Sequence, residues 1–195
     1  DMLLFMRVLG LRTRALQLSA QTATRERDAM VSLAHTDPLT GLPNRRHLNA
    51  SLQAALMHCG PGRFVGVYVL DLDGFKPIND RHGHDVGDTL LAAVAQRLRA
   101  HTRASDLIAR VGGDEFVLMA TGLTSDEDAQ EIGRKLLDAF EAPFNVEGHT
   151  LQIGMTGGYA LAPADGSDLV SLMKRADAAM YAGKQAGKRC LRRAA

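Results

Sequence analysis

The stretch FVGVYVLDLD, residues 64–73, limits more than any other what this chain can fold into. Its β-branched and aromatic residues predict a buried strand from about Phe64 to Leu72, set off by Gly60-Pro61-Gly62. Such a strand needs hydrogen-bonding neighbours and covering layers. DLIARV and EFVLMA flank Gly112-Gly113 and predict a β-hairpin, and a further strand pair is expected near residues 143–161. Helical spacing supplies the cover. One helix follows DPLTGLPN, with Leu48, Leu52, Ala55 and Leu56 on one face. A second spans about 85–100 with Val86, Leu90, Leu91, Val94 and Leu98 inward; others are expected near 125–140 and 168–186. The pattern predicts an α/β fold of the α+β sandwich kind, a central mixed sheet flanked by helices.

Composition narrows the partners. The 195 residues suffice for one well-cored domain and an appendage, and a formal net charge of +1 gives no global attraction for a nucleic acid polymer or an acidic membrane. Cys59 and Cys190 are isolated, as expected of a reducing cytoplasm. Residues 1–34 read as a helix ahead of a domain at 35–195, because His35-Thr36-Asp37-Pro38 breaks helical geometry. Leu4, Val8, Leu11, Ala15, Leu18 and Thr22 form a heptad seam that Arg25 spoils. The helix either packs on its own domain or pairs and relays a signal. Arg7 interrupts its apolar start, which is shorter than the ~20 residues of a spanning helix. A start at Asp1 suggests a fragment of a longer protein with a sensor or membrane domain upstream.

Asp71 and Asp73 lie where the apolar strand runs out, and ligands collect at sheet ends in α/β folds. Asp114 and Glu115 follow Gly112-Gly113 on the hairpin. Alone, each is an ordinary acidic turn or strand end. If the two strands are neighbours, three carboxylates converge, and these stay ionised readily only around a cation. All-oxygen donors favour Mg²⁺, with Mn²⁺ able to substitute, and such sites bridge phosphates. In the following GFKPINDRHGHDVGD, Gly74 permits close approach, the amides of Phe75 and Lys76 can cradle phosphate, and the Lys76 ammonium can offset transition-state charge. Asn79 and Asp88 are of the type that reads guanine, while Gly83 and Gly87 are odd choices at a helix start. His82 and His84 lack a third metal ligand and suit polar surface or substrate contacts better.

DPLTGLPNRR, DLDGFKPINDRHGHDVGD, RVGGDEF and ADAAMYAGKQAGK, in that order over residues 35–190, resemble the GGDEF-domain diguanylate cyclases. The resemblance implies a fold similar to the nucleotidyl cyclase and polymerase palm. It also implies an activity: two GTP molecules joined into cyclic di-GMP with release of two pyrophosphates, by a homodimer of facing domains. It implies Mg²⁺ ligands at Asp71, the Leu72 carbonyl and Asp114, with Glu115 near a second ion, and either Asp114 or Glu115 assisting the 3′-hydroxyl. Asn79, His84 and Asp88 would contact guanine and ribose; Gly74, Phe75, Lys76, Gly112, Gly113, Lys184 and Lys188 would line the nucleotide. The family commonly has arginine where Lys188 stands and alanine where Gly183 stands; lysine offers a point charge rather than a fork. Arg103 and Asp106 match the family's RxxD product-inhibition site, to which Arg134 is a candidate contributor from a second domain, although Arg and Asp three apart also describe a local salt bridge. The family also contains silent members that bind GTP or cyclic di-GMP without synthesis.

Overall fold

The long apolar run becomes the central strand β1, Phe64–Asp73, whose alternate residues are buried on opposite faces of one sheet. The computed structural model describes residues 34–195, and the helix expected over 1–34 lies, but for Ala34, outside the described residues. Chain order continues from α1 (Arg45–Leu56) through β1 to α2 (Phe75–His82), α3 (His84–His101), β2 (Leu107–Gly112) and β3 (Glu115–Leu123). Then come α4 (Asp126–Asp138), β4 (Phe144–Val146), β5 (His149–Leu151), β6 (Gly154–Ala162), α5 (Leu169–Gln185) and β7 (Leu191–Arg193). Five strands form a mixed sheet in the order β2-β3-β1-β6-β7, antiparallel except for the parallel β6–β7 pair. Each side of that sheet needs its own cover, and each has it. Tyr68, Leu70 and Leu72 pack with Leu90, Val94 and Leu98 of α3, while Val65, Val67 and Val69 pack with Leu48 and Leu52 of α1 and Leu172 and Ala176 of α5.

Local chemistry fixes the helix starts. Asn44, Ser125 and Asp168 each accept a main-chain N–H three residues on, capping α1, α4 and α5. Gly158 is required by approach rather than by turn geometry: a Cβ there would lie 2.2 Å from the Ala176 carbonyl and the Met180 amide of α5.

Three features differ from the sequence expectation. Residues 75–82, for which no element was expected, form the short helix α2, in which Pro77 sits within the first turn where its missing N–H costs nothing. The strand pair near 143–161 splits: β4 and β5 make a separate two-stranded hairpin and β6 joins the main sheet. β7 was not foreseen; three residues suffice because Gly157 and Ala194 bond their N–H groups across to Cys190 and Tyr159.

Candidate functional site

Register brings the acids together. Asp71 stands opposite Glu115 across the β1–β3 ladder, and the Leu72 N–H donates to the Asp114 carbonyl at 3.3 Å. Lys184, near the end of α5, reaches over and places its Nζ 2.8 Å from Asp71 Oδ2. Burial pushes the Asp71 carboxyl up from its usual value; Lys184 opposes that shift, and the charges of Asp114 and Asp73 add to it. Among the described residues no three His, Cys, Asp or Glu side chains are gathered into a ready-made metal site. What the structure has is a desolvated acid among like charges, with one ammonium answering it. All-oxygen donors in that setting fit Mg²⁺, since one ammonium faces several carboxylates there.

The turn that carries Asp114 is braced from below by residues that lie inside the motifs but had no role assigned to them. Arg110 Nε donates to the Gly113 carbonyl at 2.9 Å, and its Nη1 donates to both Asp37 oxygens at 3.1 and 3.2 Å. Asp37 also accepts from the Thr40 N–H at 2.9 Å and the Thr40 hydroxyl at 2.7 Å. Burial opposes ionisation of Asp37, but the bonds from Thr40 and Arg110 outweigh it and hold the carboxyl below its usual value. Arg45 adds two donations, at 3.1 and 3.3 Å, to the Val111 carbonyl. The loop DPLTGLPNRR thus clamps the hairpin. Asp73, at the end of β1, accepts from the buried Thr156 hydroxyl at 2.7 Å and from the Arg189 N–H at 3.1 Å. That contact pins the segment holding Lys188, whose own N–H donates to the Gly183 carbonyl with φ at 65°.

Across the acids lies the start of α2. Gly74 takes φ 85°, outside the range ordinary residues favour, and provides no side-chain cap. The first-turn amides, those of Phe75 and Lys76 among them, have no partner within the helix and so form an anion-accepting end. Phe75 is buried, whereas the Lys76 side chain is exposed. His84 and Asp88 are exposed on the first turns of α3, and Asn79 is half-buried between the two helices. Asn79 Oδ1 is buried with no hydrogen-bond partner.

A separate groove of about 650 Å³ includes Arg99, Arg103, Ser105, Asp106 and Met119 in its lining. Arg103 and Asp106 are joined through the main chain: the Arg103 N–H donates to Asp106 Oδ2 at 3.1 Å and the Asp106 N–H to the Arg103 carbonyl at 3.0 Å. Burial pushes the Asp106 carboxyl up, partly countered by Arg103. Arg134 does not line this groove; on the exposed face of α4 it forks between Glu131 at 2.8 Å and Asp138 at 2.7 Å.

With this geometry in hand, comparison with known proteins is specific. Residues 34–190 match the family described as diguanylate cyclase, GGDEF domain. The bifunctional diguanylate cyclase/cyclic di-GMP phosphodiesterase MucR of Pseudomonas aeruginosa is 42% identical over 181 residues, covering 92% of this chain and 26% of MucR. Diguanylate cyclase TpbB of the same species is 40% identical over 162 residues, covering 82% of this chain and 37% of TpbB. The chain therefore spans between about a quarter and two fifths of the length of these curated relatives. Among solved structures, the coiled coil and GGDEF domain of DgcB from Caulobacter crescentus, in complex with c-di-GMP, superposes with TM-score 0.83 at 26% identity, covering 95% of this chain and 99% of that one.

Proposed function

The chain belongs to the GGDEF diguanylate cyclase domain family, and from that premise we propose that it condenses two GTP molecules into cyclic di-GMP. The observation that carries this reading is the intact, braced turn holding Asp114 and Glu115 beside Asp71. The two relatives above, both with cyclase in their names, support it.

Each domain holds one GTP. The α2 amides of Phe75 and Lys76 meet phosphate beside Gly74, and Gly112-Gly113 leaves room for the nucleotide against the backbone. Asn79, Asp88 and His84 take the base and ribose. Lys184 exchanges Asp71 for the triphosphate, with Lys188 reinforcing it, and Lys76 offsets charge as the transition state forms. Asp71, the Leu72 carbonyl, Asp114 and Glu115 would hold Mg²⁺, which would lower the cost of the charge that develops on phosphate. The 3′-hydroxyl of one GTP attacks the α-phosphorus of the GTP on the facing domain. Asp114 or Glu115 takes its proton, a P–O3′ bond forms, the bond to the β-phosphate breaks and pyrophosphate leaves. The second phosphodiester forms in the same way and releases the second pyrophosphate.

Because the half-sites must face each other, residues 1–34 act by pairing two domains, raising their local concentration. The coiled coil in the DgcB structure supports that role. The Arg103–Asp106 groove takes the product and restrains further synthesis, with Arg134 of a facing domain contributing. Among the described residues no helix is long and apolar enough to cross a membrane.

The test is direct. Protein confirmed as a dimer is incubated with GTP and Mg²⁺, and cyclic dinucleotide and pyrophosphate are measured. One cyclic di-GMP per two pyrophosphates is expected, abolished by Asp114→Ala. GTP bound without turnover would leave the silent regulatory module as the correct reading.

A further inference from the structure

Gly87 lies inside α3, buried, with no left-handed backbone angle to explain it. Glycine weakens a helix interior relative to alanine, so its presence needs a reason other than conformation. The reason is its neighbour. A Cβ on Gly87 would lie 1.7 Å from Asn79 Oδ1 and 2.8 Å from Asn79 Cγ, but 3.4 Å from Nδ2. The Asn79 main chain cannot retreat freely, because its carbonyl accepts the Gly83 N–H at 2.9 Å in closing α2. The side chain is the part that must yield.

The seat of that side chain is set by shape. Its Oδ1 is buried without a hydrogen-bond partner, an arrangement native proteins seldom keep without a functional reason. With the oxygen turned to Gly87, the two N–H donors of the amide point away from it. Asp88, the next residue of α3, offers acceptors on an exposed side chain. Donors from one residue and acceptors from the other complement guanine, which presents both kinds along its edge.

We propose that Gly87 is a positioning residue for nucleotide selectivity: its missing side chain is the space that seats the Asn79 amide toward the base. This rests on the reading of Asn79 as a guanine contact. The same space would admit no other residue, alanine included, while Asn79 stays in place.

The experiment is a double-mutant cycle on the full chain, read two ways. The probe is guanosine 5′-(α,β-methylene)triphosphate, whose bridging carbon blocks pyrophosphate departure, titrated calorimetrically with Mg²⁺. Gly87→Ala and Asn79→Ala should each weaken binding about tenfold, and the double variant no further, because both remove one contact. The unfolding midpoint gives an independent reading. Gly87→Ala should lower it in the natural background and raise it in the Asn79→Ala background, where the clash is gone and only helix propensity remains. If the single Gly87→Ala variant does not fold, the double variant still must; its failure to fold overturns the proposal. Wild-type probe binding by Gly87→Ala beside weakened binding by Asn79→Ala also overturns it. If Asn79→Ala binds the probe normally, the guanine reading of Asn79 falls and the selectivity role falls with it, while the reversal of sign in the midpoint still decides whether Gly87 seats Asn79.

Discussion

Replacing Asp37 with alanine tests the clamp on the Gly112–Glu115 turn most sharply. The change removes the acceptor for the Thr40 N–H at 2.9 Å, the Thr40 hydroxyl at 2.7 Å and Arg110 Nη1 at 3.1 Å. It also leaves a guanidinium that is only 13% exposed without its carboxylate, itself 19% exposed. Three bonds at about 1 kcal/mol each give about 3 kcal/mol, at the low end of the cost of breaking a buried pair because some water reaches both groups. For a chain of this size that corresponds to a fall in Tm of roughly 6–12 °C. Urea unfolding of wild type, Asp37→Ala, Arg110→Met and the double variant supplies the measurement. The two single losses should overlap by at least about 1.5 kcal/mol in the double variant. A loss under about 1 kcal/mol, or simple additivity, would refute the clamp. GTP turnover should fall as well, since Arg110 is also the group that holds the Gly113 carbonyl.

Other outcomes follow from individual contacts. Asp37 is held below its usual value of 3.8, so its stabilisation is complete above that value and disappears as pH falls through the lower folded one; the acid stability profiles of wild type and Asp37→Asn should converge only there. Lys184→Met removes the cation that counters burial of Asp71, so that carboxyl should rise further and Mg²⁺-dependent GTP binding should require a higher pH; an unchanged pH profile would contradict the pairing. Gly158→Ala drives a Cβ into the main chain of α5 and should cost about 3 kcal/mol or prevent folding, read from the urea midpoint. Arg134→Ala breaks two exposed ion pairs on one helix and should leave the unfolding midpoint unchanged while weakening product inhibition.

The legibility of this fold followed the strength of local patterns. β1 could be read to within a residue of its end because its apolar run is unbroken, and α3 because Val86, Leu90, Leu91, Val94 and Leu98 recur at helical spacing. α2 escaped because FKPINDRH carries almost no apolar stripe; its helix is held by position between Gly74 and Gly83 and by the buried Phe75. β7 escaped because Leu191, Arg192 and Arg193 carry no strand pattern, and only the exposed edge of β6 makes them one. At the site, acids and glycines advertised themselves by residue type. The Asp37–Arg110 pair did not, since 73 residues separate two charges that look like ordinary surface. Nor did the role of Asp73, whose oxygens take the Thr156 hydroxyl and the Arg189 amide, partners 83 and 116 residues further along the chain.

The Asp73–Thr156–Arg189 contact also bears on when the site comes into being. It joins the end of the first strand to a segment 116 residues later, and Lys184 meets Asp71 over almost the same span. Contacts so distant along the chain carry a loop-closure cost that nearer pairings do not. A nascent chain emerging in order can therefore complete the hairpin and its clamp while β6 and α5 are still unmade. The acids and the amides at the start of α2 exist first, Lys184 and Lys188 last, and the charge balance around Asp71 is a product of finished folding rather than of any fragment.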